Sequence, residues 1–199
     1  MYRTKNNTIN QALALLLVCV SLLLGACEQA AETAAKQHDY SIFAFGTIIN
    51  ITIYDAENNL AETAFAQLQA DFDNYHQHWS PWTTGDLAQI NKKLSAGKST
   101  QVPEHLLPIL KTSFKLSQQS DNLYNPTIGQ LINLWQFHKY QDDQIQPPDE
   151  KLILALTHNN PTMNDLSLDE LGKLTTTNTA VALNFGAFAK GYAIKRSIN

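Results

Sequence analysis

The residues best suited to chemistry lie between Leu183 and Tyr192, LNFGAFAKGY. An apolar run leads into Gly186 and Ala187, small enough to let a bulky group reach the backbone, and a helix carrying Lys190 follows. The unpaired N–H groups and positive dipole end at such a helix start attract phosphate. The same pattern also suits a tight strand-to-helix joint with a solvated lysine, so the stretch alone leaves both readings open. Other reactive residues are scattered. The 6 histidines include His76, His78, His105, His138 and His158, none spaced as a ligand pair on a helix face. His76 and His78 fall in a stretch that reads as loop, a weak basis for a metal site. There is no G-x-x-x-x-G-K-S/T phosphate loop, no G-x-G-x-x-G and no G-x-S-x-G.

Periodicity predicts the elements that must position these residues. Ile42 to Tyr54 (IFAFGTIINITIY) is β-branched and aromatic and reads as one strand, with a bulge or close backbone approach at Gly46. Asp55 to Asn58 reads as a turn and helix cap. Ala61, Phe65, Leu68, Phe72 and Tyr75 then repeat at helical spacing, giving an amphipathic helix from Leu60 to His76. His76 to Gly85 reads as loop, and Asp86 to Leu94 as a short helix ended by Gly97. Pro103 opens a helix to Gln119, in which Pro108 must kink the helix or delay its start. A turn-rich loop spans Asp121 to Gly129, and a helix is expected over Leu131 to Trp135. After a polar linker, Gln141 to Glu150, come a helix at Lys151 to Thr157, a strand at Thr175 to Asn184 and a helix at Ala187 to Ser197. One domain of class α+β or α/β follows from this order.

The 199 residues are 44% apolar with a formal charge of −4, as in a globular protein. Removing residues 1–26 takes away Arg3 and Lys5 and no acid, leaving 12 basic and 18 acidic residues, net −6. No continuous basic footprint for nucleic acid remains. Arg3 and Lys5, then an uncharged aliphatic run to Leu24, have the layout of a secretory signal. The run falls short of the ~20 apolar residues of a comfortable membrane span. Leu24-Gly25-Ala26-Cys27 resembles a bacterial lipobox, which implies cleavage before Cys27 and acylation of its thiol. Several acyl chains give stable anchoring where one does not. The organisation expected is a signal peptide over 1–26, a tether over 27–41 and a domain over 42–199. The domain would face the periplasm from a lipid anchor, with the inner membrane favoured over the outer. Both cysteines, Cys19 and Cys27, precede the domain, which therefore has no disulfide or thiolate metal site.

LNFGAFAKGYAI is similar to the L-D/N-x-G-x-x-A-K-G-Y segment of the FAD:protein FMN transferases, the ApbE family. Ala44 to Thr47 (AFGT) resembles that family's early M-G-T strand, and Trp79 to Asn91 (WSPWTTGDLAQIN) its W/Y-x-P-x-S-x-L-S-R-x-N segment. Asn122 to Trp135 (NLYNPTIGQLINLW) resembles its G-x-F-D-P-T-V-G-P-L-V-N-L-W segment. The shared order makes the set specific where single motifs are not. The resemblance implies an α+β flavin transferase domain that splits FAD at its diphosphate. FMN passes to a threonine of a target flavoprotein subunit, AMP is released, and Mg²⁺ assists at the diphosphate. The acceptor it implies is a subunit of a respiratory redox complex. By matching position, Phe45, Trp82 (with Trp79 as the alternative), Leu123, Tyr124, Asn125, Asn184 and Lys190 stand where the family contacts FAD. Ala187 stands where a backbone carbonyl binds the metal. No residue is assigned to proton transfer.

Some positions depart from the family pattern. Asn125 and Asn184 stand where aspartate is common, keeping an acceptor oxygen and losing the charge. Phe45 replaces a methionine and Gln89 an arginine. The family continues well beyond the helix after AKGY, into a segment carrying Asp and Thr metal ligands. The sequence therefore reads as the N-terminal portion of the domain, truncated at the C-terminus and short of the anionic ligands that a hard cation needs. On that reading the 199-residue chain fails to flavinylate an acceptor. Its alternatives are a non-catalytic FAD-binding lipoprotein and an inactive remnant.

Overall fold

The structure, a computed structural model, describes residues 35–137, 139 and 146–198. The chain divides into Met1–Lys36 and Gln37–Asn199, and every element below belongs to the second unit. The signal, Cys27, the first part of the tether, His138 and residues 141–145 of the linker lie outside the described residues. Among the described residues no helix is long and apolar enough to cross a membrane.

Two antiparallel strands, β1 (Gln37–Ala44) and β2 (Thr47–Tyr54), form a hairpin in register from Ala44↔Thr47 to Gln37↔Tyr54. This corrects the reading of Ile42 to Tyr54 as one strand. Phe45 (φ 52°) and Gly46 (φ 70°) both adopt left-handed backbone, as a tight hairpin turn requires. Apolar residues on both faces mask the change of phase across the turn: Ile42 and Ile49 face inward, Phe43 and Ile48 outward. Residues 37–41, read as the end of the tether, are thus part of the paired strand.

Helix α1 (Asn58–Trp79) runs past its expected end and buries Phe72, Tyr75 and Trp79 along one face against β1. His76 and His78 therefore sit in its last turn rather than in a loop. Helix α2 (Asp86–Ser95) buries Leu87, Ile90 and Leu94, again at helical spacing, and Gly97 (φ 67°) leads the chain away. After the short strand β3 (Thr100–Gln101), a 3₁₀ turn at Glu104–Leu106 precedes α3 (Leu107–Gln119). Pro108 falls in the first turn of α3, where a missing N–H does no harm, so it delays the helix rather than kinking it.

Helices α4 (Gly129–Leu134) and α5 (Glu150–Asn159) follow, the latter capped by Asp149, which accepts from the Lys151 N–H at 2.8 Å. Strands β4 (Leu166–Leu168) and β5 (Lys173–Thr176) join β3 in an antiparallel sheet of order β3-β5-β4. The strand expected over Thr175 to Asn184 is mostly absent. Beyond Thr176 only an isolated parallel bridge, Ile128↔Ala182, remains. Local bonds redirect the backbone there: Thr176 Oγ1 accepts from the Asn178 N–H, and Asn178 Oδ1 from the Ala180 N–H. Helix α6 (Ala189–Ile198) completes an α+β fold. The core gathers Leu87, Leu94, Leu106, Ile109, Leu183 and Phe185 at nearly full burial. Each such side chain contributes about 1.5–3 kcal/mol relative to exposure.

Candidate functional site

Leu183 to Ala187 is clamped from both sides. Asn91, on α2, donates from Nδ2 to the Leu183 carbonyl (2.8 Å) and accepts the Leu183 N–H at Oδ1 (2.7 Å). Opposite, the Asn184 N–H donates to the Pro126 carbonyl and the Ala182 N–H to that of Thr127, while the Gly129 N–H donates to the Ala182 carbonyl. A Cβ at Gly129 would lie 2.5 Å from that carbonyl oxygen, so only glycine fits. Stretches distant in sequence thereby become one rigid joint. Asn184 Oδ1 then accepts the Gly186 N–H at 2.8 Å, turning the chain toward α6.

Facing the joint is an aromatic wall. Phe45 stacks toward Trp79 (centroids 6.2 Å, 18°) and meets His76 edge-on at 5.8 Å. Its backbone N–H donates to His76 Nδ1 at 3.2 Å, fixing the hairpin turn to α1. Trp82, on the loop from Ser80 to Gly85, donates from Nε1 to Asn133 Oδ1 of α4 at 2.6 Å.

Between wall and joint lies a cleft of about 980 Å³, lined among others by Phe45, Trp79, Trp82, Asn184, Ala187 and Lys190. Asn184 is 5% exposed, and its Nδ2 is buried with no hydrogen-bond partner. An unmet buried donor costs about 1–3 kcal/mol. Lys139 and Lys190 add positive charge, and no Asp or Glu is among the described lining residues. Aromatic faces beside cations suit a flat aromatic ligand with an anionic tail.

Phe45, Trp82, Asn184, Ala187 and Lys190 thus converge on the cleft, while Leu123, Tyr124 and Asn125 do not line it. Leu123 is 91% exposed. Tyr124 lies edge-on to Phe188 (5.5 Å), its hydroxyl buried without a partner. Burial pushes its pKa up to about 12, and the nearby Ser113 hydroxyl opposes this only in part. Asn125 donates from Nδ2 to the Pro161 carbonyl at 2.7 Å and accepts the Thr127 N–H, bracing the loop before α4. Sequence reasoning missed His76, Phe137 and Lys139 as lining residues. The signal for His76 was its place one turn before Trp79, legible once α1 is extended to that residue.

Residues 45–199 match the sequence profile of the ApbE family. A FAD:protein FMN transferase of Rhodobacter capsulatus is 27% identical over 179 residues, covering 90% of this chain and 34% of that one. One from Chlamydia muridarum is 25% identical, covering 89% and 54%. Among solved structures, the ApbE protein of Thermotoga maritima superposes with a TM-score of 0.69 at 22% identity, over 81% of this chain and 51% of that one. The apo flavinyl transferase ApbE of Pseudomonas stutzeri gives 0.68 at 22%, over 82% and 51%. The chain spans about half, or less, of the length of these relatives.

Proposed function

The chain belongs to the ApbE family, and from that premise we propose that it serves FMN transfer from FAD to a protein, with FAD bound in the cleft described above. The isoalloxazine lies against Phe45 and Trp82, and the diphosphate lies toward Gly186, Ala187 and Lys190. What supports this most is the meeting of Phe45 and Trp82 with Gly186, Ala187 and Lys190, far apart in sequence, on one cleft. In the transfer, an acceptor threonine oxygen bonds to the FMN phosphorus as the bond to AMP breaks. The hydroxyl proton needs a base, and no described residue is assigned to that step. The chain's own residues bind and orient: the clamp of Asn91 on Leu183 fixes the joint, the aromatic wall excludes water, and Lys190 and Lys139 offset phosphate charge.

The divalent ion expected at Ala187 finds a poor fit in these residues. Mg²⁺ and ions like it take carboxylate oxygens and water, and no carboxylate is among the described residues that line the cleft. That same donor set favours a second reading, in which the chain holds FAD without processing it. Anchoring through Cys27 to the periplasmic face of a membrane, and an acceptor subunit in a respiratory redox complex, complete the proposal.

Both readings are tested together by incubating the chain with FAD, Mg²⁺ and an acceptor domain. Covalent flavin fluorescence on the acceptor after denaturing electrophoresis supports transfer. Bound flavin that separates on denaturation supports holding alone, and no retained flavin contradicts both.

A further inference from the structure

Away from the cleft, three side chains from three elements meet at the foot of the Ser80–Gly85 loop. His78 comes from the last turn of α1, Asp86 from the first turn of α2, and His105 from the 3₁₀ turn before α3. Asp86 Oδ2 lies 2.6 Å from His78 Nδ1 and 2.9 Å from His105 Nε2. The two imidazoles stand edge to face with centroids 5.0 Å apart. One donor atom from each residue lies within 4.8 Å of the other two. The side chains are 32%, 30% and 46% exposed respectively, which leaves an ion a path from solvent.

We propose that His78, Asp86 and His105 form a Zn²⁺ site distinct from the flavin cleft. Two imidazole nitrogens and one carboxylate oxygen are a donor set that Zn²⁺ takes readily, with water completing four-coordination. Mg²⁺ prefers oxygen donors and does not compete for imidazoles. Tetrahedral bonds of about 2.0–2.2 Å set donor atoms roughly 3.3 Å apart. The two contacts to Asp86 therefore open by a fraction of an ångström to admit the ion, and partly exposed side chains have room to do so. The ion ties the end of α1 to the start of α2 and to the turn before α3. It closes the Ser80–Gly85 segment at its base, and that segment carries Pro81, Trp82 and Thr83 of the cleft wall. The site is a clip that holds this wall in place.

Calorimetric titration of the full chain with ZnCl₂ in excess Mg²⁺ tests the site. The expected result is one saturable Zn²⁺ per chain, with affinity about 10-fold or more weaker in His105→Ala and in Asp86→Asn, since even losing an outer-shell partner costs 10–100-fold. His158→Ala, on α5, keeps the wild-type affinity. The thermal unfolding midpoint rises with Zn²⁺ in the wild type and not in Asp86→Asn. His105 is the most exposed of the three, so its substitution leaves the fold intact. Absence of saturable binding would leave a hydrogen-bonded cluster and overturn the proposal. So would binding that both variants retain, on Cys27 or elsewhere.

Discussion

Phe45 holds a left-handed backbone conformation (φ 52°) that asparagine would occupy with less strain. The strain amounts to about 1–2 kcal/mol, and the ring's contacts with Trp79, Phe72 and His76 offset it. Phe45→Asn is therefore expected to change unfolding stability by no more than about 1 kcal/mol, because relieved strain and lost packing cancel. Its FAD affinity falls markedly, since the ring faces the cleft. A urea melt beside a flavin titration separates the two, and equal FAD affinity in the variant would remove Phe45 from the binding wall. Tyr124 makes a pH prediction of definite sign. Its pKa rises from 10.0 to about 12 because burial disfavours the phenolate, so folding favours the protonated form. The stability it contributes is complete below pH 10 and is lost as pH climbs through about 12. Tyr124→Phe removes that part of the alkaline loss. Identical alkaline slopes for the two proteins would contradict the assignment.

At the scale of elements, the site depends on joints more than on surfaces. Asn91→Ala leaves the Leu183 N–H and carbonyl without their partner, and a loss of about 2–4 kcal/mol is expected by chemical denaturation. Asn91 stands at the last position of the WSPWTTGDLAQIN motif, and the clamp gives that position a structural reason. Gly85→Ala places a Cβ 1.9 Å from the Gln77 carbonyl oxygen, so the loop carrying Trp82 or the end of α1 must shift. A cost of about 2–3 kcal/mol, seen as a fall in Tm of about 5–10 °C, is predicted; an unchanged Tm would show that the loop adapts freely. The helices were legible because Phe72 and Tyr75, or Leu87, Ile90 and Leu94, repeat on one face. The hairpin was not, because Phe45 occupies the turn position where asparagine usually announces it. Nor was the failure of the strand after Thr176, which depends on the side-chain bonds of Thr176 and Asn178 rather than on hydrophobic pattern.

Across the whole molecule, motif order carried more information about the site than any local property. The small-residue joint at Gly186 and the aromatics Phe45 and Trp82, more than a hundred residues apart at the extremes, line one cleft. The backbone bonds between Pro126–Gly129 and Ala182–Asn184 show how one motif supports another without touching the cleft. Position alone could not show that Asn125 braces that support while Tyr124 packs on Phe188 and Asn184 lines the cavity, since all are polar or aromatic residues in turns. The convergence of His78, Asp86 and His105 was equally hidden, because it needs the packing of three elements. On the proposed function, a dinucleotide flavin fills the cleft against the joint that Asn184 turns. Calorimetric titration of FAD into the full chain, wild type beside Asn184→Ala, tests it most directly. Saturable binding of one FAD per chain, weakened about 10-fold in the variant as the turn that Asn184 holds at Gly186 loosens, is the predicted result; no binding, or equal binding by both proteins, would contradict it.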